Sequence, residues 1–300
     1  MLDFNEPVIA DKGRADEILL NSDYRSSDYC FGNLFIWRGR FKLRIAFAED
    51  LLAVKFENYG RTFYLFPAGK GNTERLLSEM CEDAHKSGKP FVMAGVTAGI
   101  RSRIEELFPG KFSFAEDRKN YDYIYNSSDL IELKGKKYHS KRNHISRFMS
   151  LGDWGYEQIN ADNIKDCVEM NDEWCRRNGC AQDKGLAQEY CAVREAAKNF
   201  KSLGFDGGLI RMYGKVVAFT MGERLCADTY DVHIEKAFSD VEGAYTVINN
   251  EFVTRCCADY RYINREEDTG DEGLRKAKLS YHPAILLEKY YASLPEGVLL

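Results

Sequence analysis

Gly208-Leu209-Ile210-Arg211-Met212-Tyr213, a lone Gly214, Lys215-Val216-Val217-Ala218-Phe219-Thr220-Met221-Gly222-Glu223-Arg224 and Ala227-Asp228-Thr229-Tyr230-Asp231-Val232-His233 read as three consecutive strands. The runs are β-branched and aromatic, and Gly214 supplies a reversal tight enough for an antiparallel pair. Upstream, apolar residues at helical spacing predict helices over Ala161–Asn178 and Leu186–Leu203. Downstream come a helix at Gly243–Asp259, a strand at Tyr260–Asn264 and a helix at Gly270–Tyr281, stopped by Pro283. The run Ala284–Ala292 fits strand or helix equally.

The first half follows the same order. Strands are expected at Lys42–Phe47, Leu51–Phe56 and Thr62–Phe66, then a helix at Asn72–Lys86 with Leu76, Leu77, Met80, Cys81 and Ala84 on one face. A strand at Pro90–Val96, a helix at Ala98–Leu107 closed by Pro109-Gly110, and strands at Lys111–Ala115 and Tyr121–Tyr125 complete it. Helix, three antiparallel strands, helix, strand, helix, strand is thus written twice. That order is similar to the α+β GCN5-related N-acetyltransferase (GNAT, acyl-CoA N-acyltransferase) fold. The expectation is two tandem GNAT-like units, with mixed, mostly antiparallel sheets flanked by helices. Residues 1–130 form the first unit and 131–300 the second, with the junction near Ser127–Gly135.

A chain of 300 residues, 44% hydrophobic and 30% charged, suits two globular units and excludes a disordered or fibrous protein. A net charge of −5 argues against indiscriminate nucleic-acid coating. No basic and apolar leader begins the chain, and no apolar run reaches the ~18 residues of a membrane span. The nine cysteines include no CxxC pair and no Cys/His set at zinc spacing. They are expected to be reduced and mostly buried, in the cytoplasm, with no metal site.

Against the acidic whole, Leu133–Phe148 holds six Lys or Arg residues, and no acid occurs between Glu132 and Asp153. As a helix from Tyr138, it places Tyr138, Ile145, Phe148 and Met149 on one side, with Lys141 and Arg142 flanking them. The bland reading is a connector packed on its apolar side with a solvated charged face. The functional one lays a polyanion across Lys136, Lys137, Lys141, Arg142 and Arg147, with Asn143 and His144 beside them.

The second signal is Asn264-Arg265-Glu266-Glu267-Asp268, polar residues directly after an aromatic strand. Thr269 with Glu272 makes a capping box for the next helix, where Arg275, Lys276 and Lys278 sit toward the negative end. Three carboxylates in a row can recognise an ammonium group or take a proton from it; a solvated loop is the alternative. Asp231 and His233 share one strand face and form a weaker candidate pair, since a lone strand His is more often structural.

Lys134–His144 and Arg265–Lys278 together resemble the signatures of a bacterial family grouped with the C-terminal domain of phosphatidylglycerol lysyltransferase. The resemblance covers nearly the whole chain. It implies a tandem GNAT fold shared with the Fem aminoacyltransferases, and transfer of an aminoacyl group from charged tRNA to an amine or hydroxyl. The acceptor stays open between a small molecule, a peptide and a lipid headgroup.

On that reading Glu266 or Glu267 binds the donor amine or relays a proton, with Asp268, Asp231 and His233 as further catalytic candidates. Asn264 lines the cleft, while Arg265, Arg275, Lys276 and Lys278 hold phosphates or neutralise an oxyanion. No cofactor is then needed. The rival donor is acyl-CoA, for which Ser239-Asp240-Val241-Glu242-Gly243-Ala244 is the nearest phosphate loop, though it carries two acids. A noncatalytic binding protein on the same fold is the third class.

Overall fold

The computed structural model describes residues 2–295 and 297–300. The chain begins with α1 (Lys12–Ser22) and α2 (Phe31–Ile36), neither of which the sequence patterning had marked. It continues through β1 (Arg44–Ala48), β2 (Leu51–Asn58), β3 (Arg61–Leu65), β4 (Ala68–Gly69), α3 (Thr73–Lys86), β5 (Val92–Val96), α4 (Ala98–Leu107), β6 (Ser113–Glu116) and β7 (Asp122–Asn126). A connection of α5 (Ser127–Glu132) and α6 (His139–Met149) leads to β8 (Trp154–Gln158), α7 (Ile164–Arg177) and α8 (Lys184–Leu203). There follow β9 (Asp206–Met212), β10 (Lys215–Arg224), β11 (Thr229–Ala237), α9 (Ala244–Cys256), β12 (Tyr262–Asn264), α10 (Glu272–Leu279), β13 (Ile285–Leu287) and β14 (Tyr290–Ser293).

The strands form two mixed sheets, ordered β1-β2-β3-β5-β14-β6 and β13-β7-β12-β11-β10-β9-β8, with β4 on the flank of β2. In each, an antiparallel meander is followed by a helix and a parallel strand. β3 runs parallel to β5 and β11 parallel to β12. A parallel neighbour needs a crossover, and α3 and α9 supply it. The two halves are therefore repeats of one α+β plan, as the sequence order predicts.

Two strands cross the division drawn after residue 130. β7 pairs with β12 and β13 in the second sheet, while β14 lies between β5 and β6 in the first. The ambiguous C-terminal run is thus two short strands, one given to each sheet.

Local chemistry explains the helices. Asn72 caps α3 by accepting from the Arg75 amide, and Leu76, Leu77, Met80, Cys81 and Ala84 are buried as expected. Each fully buried leucine contributes roughly 1.5–3 kcal/mol. In α6 the apolar stripe is shorter than expected: Tyr138 and Phe148 are buried, but Met149, at the helix end, is exposed. The cap of α10 also differs. Asp271, not Thr269, accepts from the Leu274 amide, because Asp268 has already taken the Gly270 N–H and Thr269 is left-handed at φ 51°. Finally, Cys175 and Cys180 form a disulfide, against the expectation of reduced cysteines; of the free thiols Cys191 is exposed and Cys30, Cys81, Cys167, Cys226 and Cys257 are buried.

Candidate active site

β11 and β12 pair only at Thr229↔Tyr262, Tyr230↔Ile263 and Asp231↔Asn264. Beyond that point β11 runs on to Ala237, while the other chain leans toward β7: the Arg265 amide donates to the Tyr123 carbonyl at 3.0 Å and the Tyr123 amide to the Glu266 carbonyl at 3.1 Å. A gap opens between the two parallel strands, and two ion pairs bridge it. His233 Nδ1 lies 2.9 Å from Glu266 Oε1, and Arg265 Nη2 lies 2.7 Å from Glu235 Oε1. Consecutive residues thus meet alternate positions on one face of β11.

The His233 side is acidic and dry. The side chains of His233 and Asp231 are 0% exposed, Glu223 7% and Glu266 17%. His233 Nε2 is 3.2 Å from Glu223 Oε1, which also accepts the Gly32 amide at 2.8 Å. Cys30 Sγ completes the group, 3.7 Å from Asp231 Oδ2 and 3.9 Å from His233 Nε2. Gly32 has to be glycine, since a Cβ there would collide with Glu223 and Phe205. Burial alone would push the His233 pKa down, but the Cys30 thiol and the Asp231 and Glu223 carboxylates raise it well above the usual imidazole value. Burial raises Asp231 far above the carboxylate range, with Glu266, Asp122 and Glu223 adding to it despite His233. A cavity of about 190 Å³, lined in part by Lys12, Asp16, Cys30 and Glu223, reaches this cluster from between α1 and β10.

Glu266 is held in a strained backbone. Its φ is 55°, in the left-handed region that a non-glycine residue rarely occupies. Its amide donates to Asn264 Oδ1 at 2.7 Å, and Lys278 Nζ donates to the carbonyls of Arg265, Glu266 and Glu267. Such strain costs on the order of 1–3 kcal/mol and gathers where a side chain must be aimed.

Glu267 is half-buried, close to the Lys289 ammonium and to the Glu266, Asp122 and Asp28 carboxylates. Burial raises its pKa to about 7; Lys289 opposes this, while Glu266, Asp122 and Asp28 reinforce it. Lys289 itself is buried and bridges Asp122 at 2.7 Å and Asp28 at 2.8 Å. Asn264 donates to Asp122 at 3.0 Å and to the Arg25 carbonyl at 2.9 Å, so it fastens the loop rather than facing open space.

Asp268, Arg275 and Lys278 serve the loop's architecture. Asp268 accepts from Arg275 Nε at 2.8 Å, the Tyr123 hydroxyl at 2.6 Å and the Gly270 amide at 2.9 Å, with Arg118 at 3.4 Å. Burial would raise its pKa, yet these partners hold it at about 2. Lys278 is buried and spent on the three carbonyls; only Lys276 of this basic trio is exposed.

The basic helix divides in the same way. Lys141 Nζ lies 3.7 Å from the Tyr281 ring centroid, and Arg265 stands over that ring at 4.8 Å. Burial, then the neighbouring Arg265, lowers the Lys141 pKa to about 8. Arg265 Nη1 is buried without a partner. Lys141 thus joins the Arg265 side of the gap. Arg142 instead donates to the Leu133 and Gly135 carbonyls, Lys137 pairs with Asp129 at 3.7 Å, and Asn143 bonds His139. Lys136 is exposed, and the His144 backbone packs over Gly243.

Cys30, Glu223, Asp28, Asp122, Lys289 and Glu235 escaped sequence reasoning. Cys30 and His233 are 203 residues apart in the chain, so no spacing pattern could join them. Glu235 was cut off because the strand was expected to end at His233, four residues short of Ala237.

Residues 21–293 match the family described as phosphatidylglycerol lysyltransferase, C-terminal. A Bacteroides thetaiotaomicron protein of unknown function is similar at 43% identity and a TM-score of 0.94, over 98% of this chain and 100% of that one. The C-terminal domain of a proposed lysylphosphatidylglycerol synthetase from Agrobacterium fabrum gives 15% identity and 0.71, over 96% and 93%. FemX gives 7% and 0.63, over 97% of each. Among the described residues no helix is long and apolar enough to cross a membrane. The chain belongs to the phosphatidylglycerol lysyltransferase C-terminal family and folds as two tandem GNAT-like units.

Proposed function

We propose that the gap between β11 and β12 transfers an aminoacyl group from charged tRNA to an amine or hydroxyl of a second substrate. One observation carries this reading: Arg265 and Glu266, adjacent in sequence, face a cationic patch with Lys141 on one side and an acidic pocket with His233 on the other. An aminoacyl-tRNA has the complementary form, phosphates at one end and an ammonium group at the other. Family membership supports the same class of reaction.

The donor is already an activated ester, so the protein has to orient it, stabilise an oxyanion and move one proton. The acceptor nitrogen or oxygen attacks the ester carbonyl and its proton passes to Glu267, which is poised near neutrality. The tetrahedral oxyanion takes a hydrogen bond from the unpartnered Nη1 of Arg265. The bond to the ribose oxygen then breaks, and Glu267 returns the proton to that oxygen. Glu266, fixed by His233, holds the donor ammonium. Lys141, Lys136 and Lys276 meet acceptor-stem phosphates. Arg275 and Lys278, being internal fasteners, do not.

Acyl-CoA is the weaker donor. The loop before α9 that would hold its pyrophosphate lies under α6: a Cβ on Gly243 would strike the His144 carbonyl, and Glu242 is paired with Arg147. The test is a thermal-shift comparison of charged tRNA, uncharged tRNA and acetyl-CoA, followed by transfer of a radiolabelled aminoacyl group to added amines. Stabilisation that requires the aminoacyl group is expected. Stabilisation by acetyl-CoA, with none by charged tRNA, would reject the proposal.

A further inference from the structure

We propose that Cys30, Asp231 and His233, with Glu223 closing the set, form a binding site for a divalent cation of the zinc class. One atom from each of the first three lies within 4.8 Å of the others. Donors sharing a tetrahedral zinc, bonded at about 2.0–2.3 Å, stand about 3.3–3.6 Å apart. The observed separations are 3.7 Å from sulfur to the Asp231 carboxylate, 3.9 Å from sulfur to His233 Nε2, and 3.2 Å from Nε2 to Glu223. Closing these separations by up to about an ångström brings the Cys30, Asp231 and His233 donors onto one ion, with Glu223 Oε1 beside Nε2 as the fourth candidate.

Three further observations point to a cation. The Asp231 Oδ1 atom is buried with no partner among the described residues, although buried carboxylate oxygens are nearly always satisfied. Three carboxylates, Asp231, Glu223 and Glu266, crowd a single imidazole in a dry site, and Lys12, 3.8 Å from Glu223, is shared with Asp16. His233 is also oriented as a metal ligand is. Its Nδ1 faces the Glu266 carboxylate at 2.9 Å and Asp231 Oδ2 at 3.6 Å, while Nε2 points toward Cys30 and Glu223. A carboxylate behind a ligating histidine is the usual outer partner of zinc. The cavity that reaches Cys30 and Glu223 supplies the entry path.

The donor set also selects the ion. One thiol, one imidazole and carboxylates suit zinc, whereas magnesium and calcium prefer oxygen alone. Binding the ion would displace the protons held on the Cys30 sulfur, His233 Nε2 and Asp231, and convert a set of mutually repelling acids into a rigid node between α2, β10 and β11.

The test uses the full chain. Its metal content is measured after expression with zinc, and the stripped protein is then titrated with Co2+, whose thiolate charge-transfer absorption reports a sulfur ligand. One cation per chain is expected, with a band that Cys30→Ser removes and Cys191→Ser, at an exposed thiol, leaves intact. Glu266→Gln should weaken the cation by about 10–100-fold while keeping the band. The proposal is overturned if the wild-type chain takes up no cation, or if the band survives Cys30→Ser. Should circular dichroism find Cys30→Ser unfolded, Asp231→Asn takes its place: a weaker cation supports the site, and an unchanged affinity overturns it.

Discussion

The carboxylate of Glu266 stands 2.9 Å from Nδ1 of His233, across the gap that opens where β11 and β12 stop pairing. The contact spans 33 residues and is made from a left-handed backbone, so the loop is bent in order to make it. Everything proposed for the active site depends on how firmly that bend is kept.

Glu267 should set the pH dependence of transfer. Its pKa is raised to about 7, so the basic form accumulates as pH climbs through neutrality. The rate is expected to rise to a plateau above about pH 7 and, for Glu267→Gln, to drop by about 100-fold and lose that rise. A Glu267→Gln enzyme with an unchanged pH–rate profile would remove Glu267 from the proton's path.

Binding of tRNA should weaken as pH rises through about 8, where Lys141 loses its charge. Lys141→Ala is expected to abolish that trend and reduce the salt slope by about one unit. Filter-binding titrations at several salt concentrations, repeated on either side of pH 8, measure both.

Stability in acid should follow Asp268. Its folded pKa of about 2 lies below the unfolded value near 3.8, so its contribution is present above pH 4 and is lost as pH falls toward 2. Asp268→Asn leaves the half-exposed Arg275 and Arg118 without their carboxylate and should lower stability at neutral pH. Urea unfolding of both proteins at pH 6 and pH 3 should show the gap narrowing at the lower pH.

Gly32→Ala should disturb the acidic pocket without removing any of its ionisable groups. The added methyl collides with Glu223 and Phe205, and overpacking of this kind costs about 1–3 kcal/mol. A lower melting temperature together with slower transfer is expected; a stable, fully active Gly32→Ala would mean that Glu223 can move aside freely.

Much of the architecture was legible in the chain. Apolar periodicity located α3 and the Pro109-Gly110 stop located α4, both nearly to the residue, and Gly214 marked the β9–β10 turn. α2 was missed because it is only six residues long, and α1 because its buried Ala15, Ile18 and Leu19 form too small an apolar face among polar neighbours. The candidate site was half legible. Glu266 and Arg265 stood out as a polar run after an aromatic strand, and both bridge the gap. Arg275 and Asp268 look identical on paper, yet they pair with each other, since sequence gives charge and not company. Asp231 and His233 were readable as one strand face, but Cys30, 201 residues before Asp231, could not be joined to them by spacing.

The exchange of β7 and β14 has a consequence for how this protein is made. Val92–Val96 and Ser113–Glu116 are not direct neighbours; Tyr290–Ser293 separates them. The first sheet therefore stays open between β5 and β6 until Tyr290–Ser293 arrives, and loss of that segment would leave both strands with an unzipped edge.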